Sequence, residues 1–281
     1  MNYFKTGLLL LVLTLILVWI GGLIGGPRGA MYAFIFALVI NGVSYWYSDK
    51  IVLAMYRAKE VPQDTFFHLY NLVEDLTKSA GLPMPKIYMT EERSPNAFAT
   101  GRSPDKAVVC VTRGLLELLN ENELKGVLAH ELAHVKNRDT LIMTVTAAVA
   151  GAIMMLAYMA RWAAILGGVS KGRRDGANAI SLIAISIVAP LAAIIVQLAI
   201  SRSREYEADR HGAYFARNSE GLAKALESLS RAAKIRPMKE TMPQTAHLFI
   251  VNPFRSGFVA NLFSTHPPIT ERVRRLRNMK A

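Results

Sequence analysis

Apolar residues are concentrated in four long stretches of this chain rather than spread along it. No charged residue lies between Lys5 and Arg28 or between Arg28 and Asp49, and residues 140–160 and 176–201 are equally free of charge. Each stretch is close to the ~20 residues with which a helix crosses about 30 Å of hydrocarbon. We therefore predict four transmembrane helices, over about residues 6–26, 29–48, 140–160 and 177–201.

The four spans divide the chain into two hairpins and one domain made of two separate segments. Only a short turn around Arg28 joins the first two spans, so residues 1–48 are predicted to form one hairpin and residues 140–201 the second. Residues 49–139 and 202–281 then form the two parts of a domain outside the membrane. The last two spans are rich in Ala, Gly and Ser, so buried helices of a soluble domain are the alternative for them.

The first polar segment carries both strand and helix patterns. Short apolar runs at residues 86–89, 96–100 and 108–111 predict strands. Helix-forming residues from Glu121 to Asp139 predict a helix immediately before the third span. The sequence thus indicates an α-rich integral membrane protein with a small α+β domain.

The sequence His130-Glu131-Leu132-Ala133-His134 lies within this predicted helix. Residues four apart share one helical face, so both imidazoles can point at one metal ion. Glu131 then lies beside that ion, where it can take a proton from a water molecule. The pattern indicates a zinc peptidase, and a helix with two surface histidines is the alternative.

A catalytic zinc keeps three protein ligands, so one more is needed. Glu205 and Asp209 follow the fourth span directly and share a helical face, whereas Glu207 points elsewhere. Glu205 could bind the metal, while Asp209 could accept a hydrogen bond from a ligand imidazole. Ordinary surface charge, with Glu207 and Arg210 as an ion pair, explains the same residues equally well.

Composition adds a basic balance to this picture: 52% of residues are hydrophobic, 19% are charged and the net charge is +12. No nucleic-acid-binding motif is visible, so we attribute the basic residues to contacts with the lipid bilayer. The C-terminal arginines from Arg272 to Arg277 have the pattern of the solvated side of a terminal helix. The single cysteine, Cys110, cannot form an intrachain disulfide and is predicted to lie in the core.

The two motifs, the chain length and the paired spans resemble the HtpX-type membrane metalloproteases, which are relatives of the CAAX prenyl proteases. The resemblance implies one zinc ion per chain, held by His130, His134 and Glu205. It also implies that His266, in Thr265-His266-Pro267-Pro268, stabilises the oxyanion formed when the peptide carbonyl is attacked.

The same resemblance implies that Asn96, Ala97, Phe98 and Ala99 form an edge strand that binds the substrate backbone. An internal strand with Asn96 in a turn is the alternative.

We therefore expect a zinc endopeptidase that acts on unfolded, misfolded or damaged membrane proteins in quality control. Basic residues are concentrated on the side of the membrane that carries the motifs, which favours a cytoplasmic active site. The resemblance implies that the membrane is a bacterial inner membrane. The alternative is a narrow processing protease of the CAAX type.

Overall fold

The structure is a computed structural model, and it describes residues 2–149, 202–235, 248–251 and 267–279. Its strands are β1 (Lys59–Glu60), β2 (Lys86–Thr90), β3 (Ala97–Thr100) and β4 (Val108–Thr112). The helices in this part of the chain are α1 (Asn2–Met55), α2 (Phe67–Ala80), α3 (Arg113–Leu118), α4 (Glu121–Lys136), α5 (Asp139–Val149), α6 (Arg202–Ala216), α7 (Ser219–Ile235) and α8 (Ile269–Arg277), and a 3-10 turn lies at Pro104–Lys106.

Helix α1 consists of two halves that lie against each other. Gly26 has a φ of 61°, a left-handed conformation that suits glycine because it lacks a Cβ atom. On either side of it the chain is in contact with itself, since the Asn41 side chain donates a hydrogen bond to the Thr14 Oγ1 atom at 2.8 Å. The chain therefore reverses at Gly26.

Within the residues that the structure describes, one segment, Gly26–Met55, is long and apolar enough to cross a membrane. Thr6–Trp19 and Asp139–Val149 are shorter apolar helices. The predicted third span is described only up to Val149, and the fourth, residues 177–201, lies outside the described residues. The four-span arrangement and the boundaries of the four segments stay predictions.

The strands form a mixed sheet in the order β1-β2-β4-β3. β2 and β4 run parallel, and the other pairs are antiparallel. Three of the strands confirm the sequence-based expectation, while β1 has only two residues and gave no pattern to detect. β3 lies at one edge of the sheet and packs against α4 and α1.

Helix α4 lies at the centre of the domain, between the sheet and helices α2, α6 and α7. It begins with a capping box in which the Asn120 side chain accepts a hydrogen bond from the Glu123 N–H and the Glu123 carboxylate accepts one from the Asn120 N–H. Gly212 lets α6 approach α4 closely, because a Cβ atom there would lie 2.9 Å from the His130 backbone nitrogen. This close packing places the N-terminal half of α6 over the histidines of α4.

Candidate metal centre

The three predicted ligands come together in one buried cluster. The Nε2 atoms of His130 and His134 lie 3.2 Å apart on one face of α4. The Glu205 carboxylate, from α6, has one oxygen 3.7 Å from His130 Nε2 and the other 3.6 Å from His134 Nε2. All three side chains are buried.

These separations fit a zinc ion. Zinc bound tetrahedrally by imidazole nitrogen and carboxylate oxygen at about 2.0–2.2 Å requires donor atoms roughly 3.4 Å apart. The donor set also matches, because two neutral imidazoles and one carboxylate are common ligands of catalytic zinc. His130, His134 and Glu205 could therefore hold a metal ion without rearrangement of the backbone.

Each histidine presents its other ring nitrogen to an aspartate. The Asp209 carboxylate lies 3.0 Å from His130 Nδ1, and the Asp139 carboxylate lies 3.3 Å from His134 Nδ1. Such partners hold a ring in the tautomer whose Nε2 is free to bind metal. The structure thus brings Asp209 to the position that the sequence predicts for it.

Asp139 is a site residue that the sequence analysis missed. It lies five residues beyond His134, past the end of α4, and reaches back because Arg138 adopts a φ of 58°. Arg204 on α6 pairs with the same carboxylate at 3.4 Å, which ties the second segment of the domain to the start of α5. The sequence feature that could have identified Asp139 is an acidic residue just after the helix that carries the two histidines.

Arg272 corrects the sequence-based expectation of a solvated terminal helix, because its side chain is 0% exposed. Its guanidinium donates to both oxygens of Asp209, at 2.9 and 2.6 Å, and lies 3.7 Å from Glu205. It also donates to the Ile250 carbonyl at 3.3 Å. Helix periodicity alone placed this arginine with its exposed neighbours, but its acidic partners lie on α6.

Burial and charge shift the pKa values in this cluster in opposite directions. Burial raises the pKa of Glu131 above the usual carboxyl range, and the nearby Glu205 adds to the rise. Burial would raise the pKa of Asp209 as well, but Arg272 and the hydrogen bond from His130 outweigh it and lower the pKa to about 2. Asp209 is therefore an anion at neutral pH, whereas Glu131 has the raised proton affinity that suits a base.

Glu131 also contacts the predicted substrate strand. Its Oε2 atom accepts a hydrogen bond from the Ala99 N–H at 2.9 Å, which joins α4 to β3. Asn96, Ala97, Phe98 and Ala99 are all buried. The Asn96 side chain is held by the Leu248 carbonyl at 3.2 Å and the Ile250 N–H at 3.1 Å.

Three other residues from the sequence analysis are not part of the cluster that the structure describes. Glu207 is exposed on the far side of α6 and lies 3.9 Å from Arg210, as the ion-pair alternative describes. His266 lies outside the described residues. Cys110 is buried in β4, as predicted, and burial raises the pKa of its thiol to about 12.

We expect Asp139→Asn to weaken zinc binding about 10- to 100-fold, the usual cost of removing the acidic partner of a ligand histidine. The amide keeps the shape but loses the charge that orients His134. Competition with a chromophoric chelator measures the affinity. Asp105→Asn, on the exposed 3-10 turn, is the matched control, and equal affinities for the two variants would contradict the role given to Asp139.

Comparisons with known proteins extend beyond the motifs. The family model described as peptidase family M48 matches residues 63–280. A "Protease HtpX homolog" of Syntrophobacter fumaroxidans is 54% identical over 278 residues, which cover 98% of this chain and 99% of the relative. One of Thermococcus kodakarensis is 52% identical over 277 residues, covering 99% and 96%. The resemblance drawn from the sequence is thereby confirmed.

The crystal structure of S. mikatae Ste24p is also similar, with 17% identity and a TM-score of 0.49. The match covers 94% of this chain and 62% of that longer one.

Proposed function

The chain belongs to peptidase family M48, and we propose that this membrane protease is a zinc endopeptidase that cleaves misfolded or damaged membrane proteins at the cytoplasmic face. One observation carries the proposal. Two imidazoles and a carboxylate converge within 4.8 Å of one another, and Glu131 lies in the same buried cluster. This is the constellation for attack by water on a peptide carbonyl.

Each residue of the cluster has a separate role in the proposed hydrolysis. Bound zinc would polarise the peptide carbonyl and make a nearby water molecule more acidic. Glu131 accepts the proton of that water at a carboxylate oxygen and later delivers it to the departing amide nitrogen. His130, His134 and Glu205 hold the ion, while Asp209 and Asp139 hold the two rings.

Substrate binding is assigned to β3, and oxyanion stabilisation to His266. β3 is one of the two edge strands of the sheet, and its Ala99 contacts Glu131. An edge strand can align an extended substrate through backbone hydrogen bonds. The assignment of His266 rests on the family resemblance of its motif.

The quality-control role and the orientation rest on the membrane anchoring and on charge. A protease anchored in the bilayer meets damaged membrane proteins at high local concentration, and most of the Lys and Arg residues lie in segments on the side of the active site. No observation on the described residues favours narrow CAAX-type processing, so that alternative is not proposed.

Removal of the metal should abolish proteolysis. We expect the detergent-purified protein to cleave an unfolded polypeptide, to lose that activity in a chelator and to recover it with added zinc. Gel electrophoresis and mass spectrometry of the fragments measure the cleavage. Activity that persists after the metal content has fallen to zero would exclude a zinc peptidase.

The ligand assignment makes a paired prediction for two glutamates on α6. Glu205→Ala should reduce bound zinc well below one ion per chain, because two ligands hold the ion far less tightly than three. Glu207→Ala removes the same group two residues away, from an exposed position, and should leave the zinc content unchanged. Elemental analysis of the purified variants decides between them, and the reverse result would show that the ligand register is wrong.

A further inference from the structure

Helix α5 contacts the surroundings of the metal cluster at two points. At its first residue, the Asp139 carboxylate lies 3.3 Å from His134 Nδ1. Five residues later, Thr144 contacts the end of β3. Five residues of an α-helix correspond to about 7.5 Å along its axis and to a rotation of roughly 140° around it. One face of α5 therefore contacts a metal ligand on α4, and a different face contacts β3.

The contact between α5 and β3 is a buried pair of threonine hydroxyls. Thr100 Oγ1 donates a hydrogen bond to Thr144 Oγ1 at 3.0 Å, and Thr144 Oγ1 in turn donates to the Thr140 carbonyl. A hydroxyl group has a single hydrogen to donate, so Thr144 acts toward Thr100 as an acceptor. All three threonines are buried. A buried hydroxyl that loses its partner is left without the hydrogen bonds that water would otherwise supply, so this pair is costly to break.

Thr100 is next in the chain to the residue that binds the general base. The Ala99 N–H donates a hydrogen bond to Glu131 Oε2 at 2.9 Å. A planar peptide unit joins Ala99 to Thr100 and keeps their Cα atoms about 3.8 Å apart. A displacement of Thr100 is therefore transmitted to the N–H group that holds Glu131.

Strand β3 is held at both ends by side-chain hydrogen bonds, in addition to its pairing with β4. At its start, the Asn96 side chain bonds to the backbone of residues 248–251. At its end, the Thr100 side chain bonds to α5. Ala99 is three residues from the first contact and next to the second. The contact with α5 is thus the nearer of the two to the N–H group that binds Glu131.

We propose that Thr144 is a positioning residue for the general base Glu131, and that it acts through the Thr100 hydroxyl and the Ala99 N–H. This inference rests on the proposed peptidase function. The hydrogen bond from Ala99 occupies one carboxylate oxygen and leaves the other for the water molecule that is deprotonated. A misplacement of about 1 Å in such an arrangement can lower the rate of the chemical step by about 10²-fold.

Helix α5 then has two separable roles in the same reaction. Asp139 orients a histidine and so acts on the affinity for zinc, whereas Thr144 orients the base and acts on the rate at which bound substrate is cut. The two roles predict different defects in two variants of one helix. Asp139→Asn should lose zinc affinity, while Thr144→Val should keep it and turn over more slowly.

Thr144→Val tests the proposal, with Thr146→Val as its matched control. Valine has nearly the shape of threonine but cannot accept the hydrogen bond from Thr100. Thr146 is on the same helix and is also buried, and its hydroxyl has no hydrogen-bond partner among the residues that the structure describes. The full-length variants, purified in detergent and loaded with zinc, are compared below their unfolding midpoints. The substrate is a fluorogenic peptide that contains a site cut by the unmodified protein in an unfolded polypeptide, and kcat, KM and zinc affinity are measured.

We expect Thr144→Val to lower kcat about 5- to 50-fold, with a smaller change in KM and no change in zinc affinity. Thr146→Val should keep the kcat of the unmodified protein. Thr144→Ser retains the hydroxyl and should recover most of the lost kcat, which a defect in packing alone would not do.

Three results would contradict this assignment. Equal kcat values for Thr144→Val and Thr146→Val would overturn the proposal while leaving the peptidase function intact. A rise in KM with kcat unchanged would overturn it as well, because Thr144 would then serve substrate binding and not the base. Failure of the unmodified protein to cut any unfolded polypeptide would instead overturn the proposed function, and the inference with it.

A double-mutant cycle tests the route through Thr100. Thr100→Val removes the donor of the same hydrogen bond, so we expect it to lower kcat by a similar factor. The combined variant should be no slower than either single variant, because one hydrogen bond can be lost only once. If the two effects multiplied in the combined variant, Thr144 would not act through Thr100 and the proposed route would be wrong.

Discussion

Glu131→Gln should lower the rate of peptide hydrolysis about 10²- to 10⁴-fold while the zinc content stays near one ion per chain. The carboxylate lies in the metal cluster but is not one of its three donors, so the amide removes the base and leaves the ligands in place. The side chain keeps its size, and its oxygen can still accept the hydrogen bond from Ala99. Initial rates on an unfolded polypeptide and elemental analysis measure the two quantities.

The stability of this variant separates lost chemistry from lost structure. Burial raises the pKa of Glu131, which shows that the charged form is costly at this position. A neutral amide avoids that cost, so we expect the thermal unfolding midpoint of Glu131→Gln not to fall below that of the unmodified protein. Glu121→Gln, on the exposed first turn of the same helix, is the control and should keep full activity. A Glu131→Gln variant with near-normal turnover would show that another group is the base.

The metal cluster was predictable because its signal is local. His130 and His134 lie on one helix, and four-residue spacing determines that they share a face. The three longer strands were detectable for a similar reason, since each is a short apolar run between turn residues. Glu205 was harder to predict as a ligand, because a glutamate on a polar helix gives the same sequence pattern whether its carboxylate binds a metal or faces water.

The charged partners of the cluster could not be predicted from the sequence, because they meet only in the folded chain. Arg272 and Asp209 are separated by 63 residues, yet their side chains are in direct contact. The periodicity of α8 shows that Val273 and Leu276 are buried, but it cannot show that an arginine beside them also points inward. Burial of an arginine depends on an acidic partner from another element, and the sequence pattern of a single helix does not identify that partner.

Arg272→Ala should destabilise the protein by about 3–5 kcal/mol and release the metal, because it leaves the Asp209 carboxylate buried without its counter-ion. Asp209 is 4% exposed, and Arg272 together with the hydrogen bond from His130 lowers its pKa to about 2 against the effect of burial. Without the guanidinium, this carboxylate must take up a proton or draw in water. Either change alters the hydrogen bond that Asp209 accepts from His130, one of the three proposed zinc ligands.

The same guanidinium connects the metal cluster to the substrate strand. It donates to the Ile250 carbonyl, while the Ile250 N–H donates to the Asn96 side chain just before β3. Arg272 is therefore a positioning residue for both the histidine and the strand. We expect Arg272→Lys to be more stable than Arg272→Ala, because lysine restores the positive charge. Lysine does not restore the two-point contact with Asp209, so the recovery should be partial.

Thermal unfolding and zinc affinity together distinguish this role from simple packing. For a chain of this size the loss corresponds to a fall of roughly 6–20 °C in the unfolding midpoint of Arg272→Ala. Arg274→Ala removes an exposed arginine two residues along α8 and should leave the unfolding midpoint nearly unchanged. If Arg272→Lys restored both the midpoint and the zinc affinity in full, charge alone would be sufficient. Recovery of the midpoint with zinc affinity still reduced would show that the geometry of the guanidinium holds Asp209 against His130.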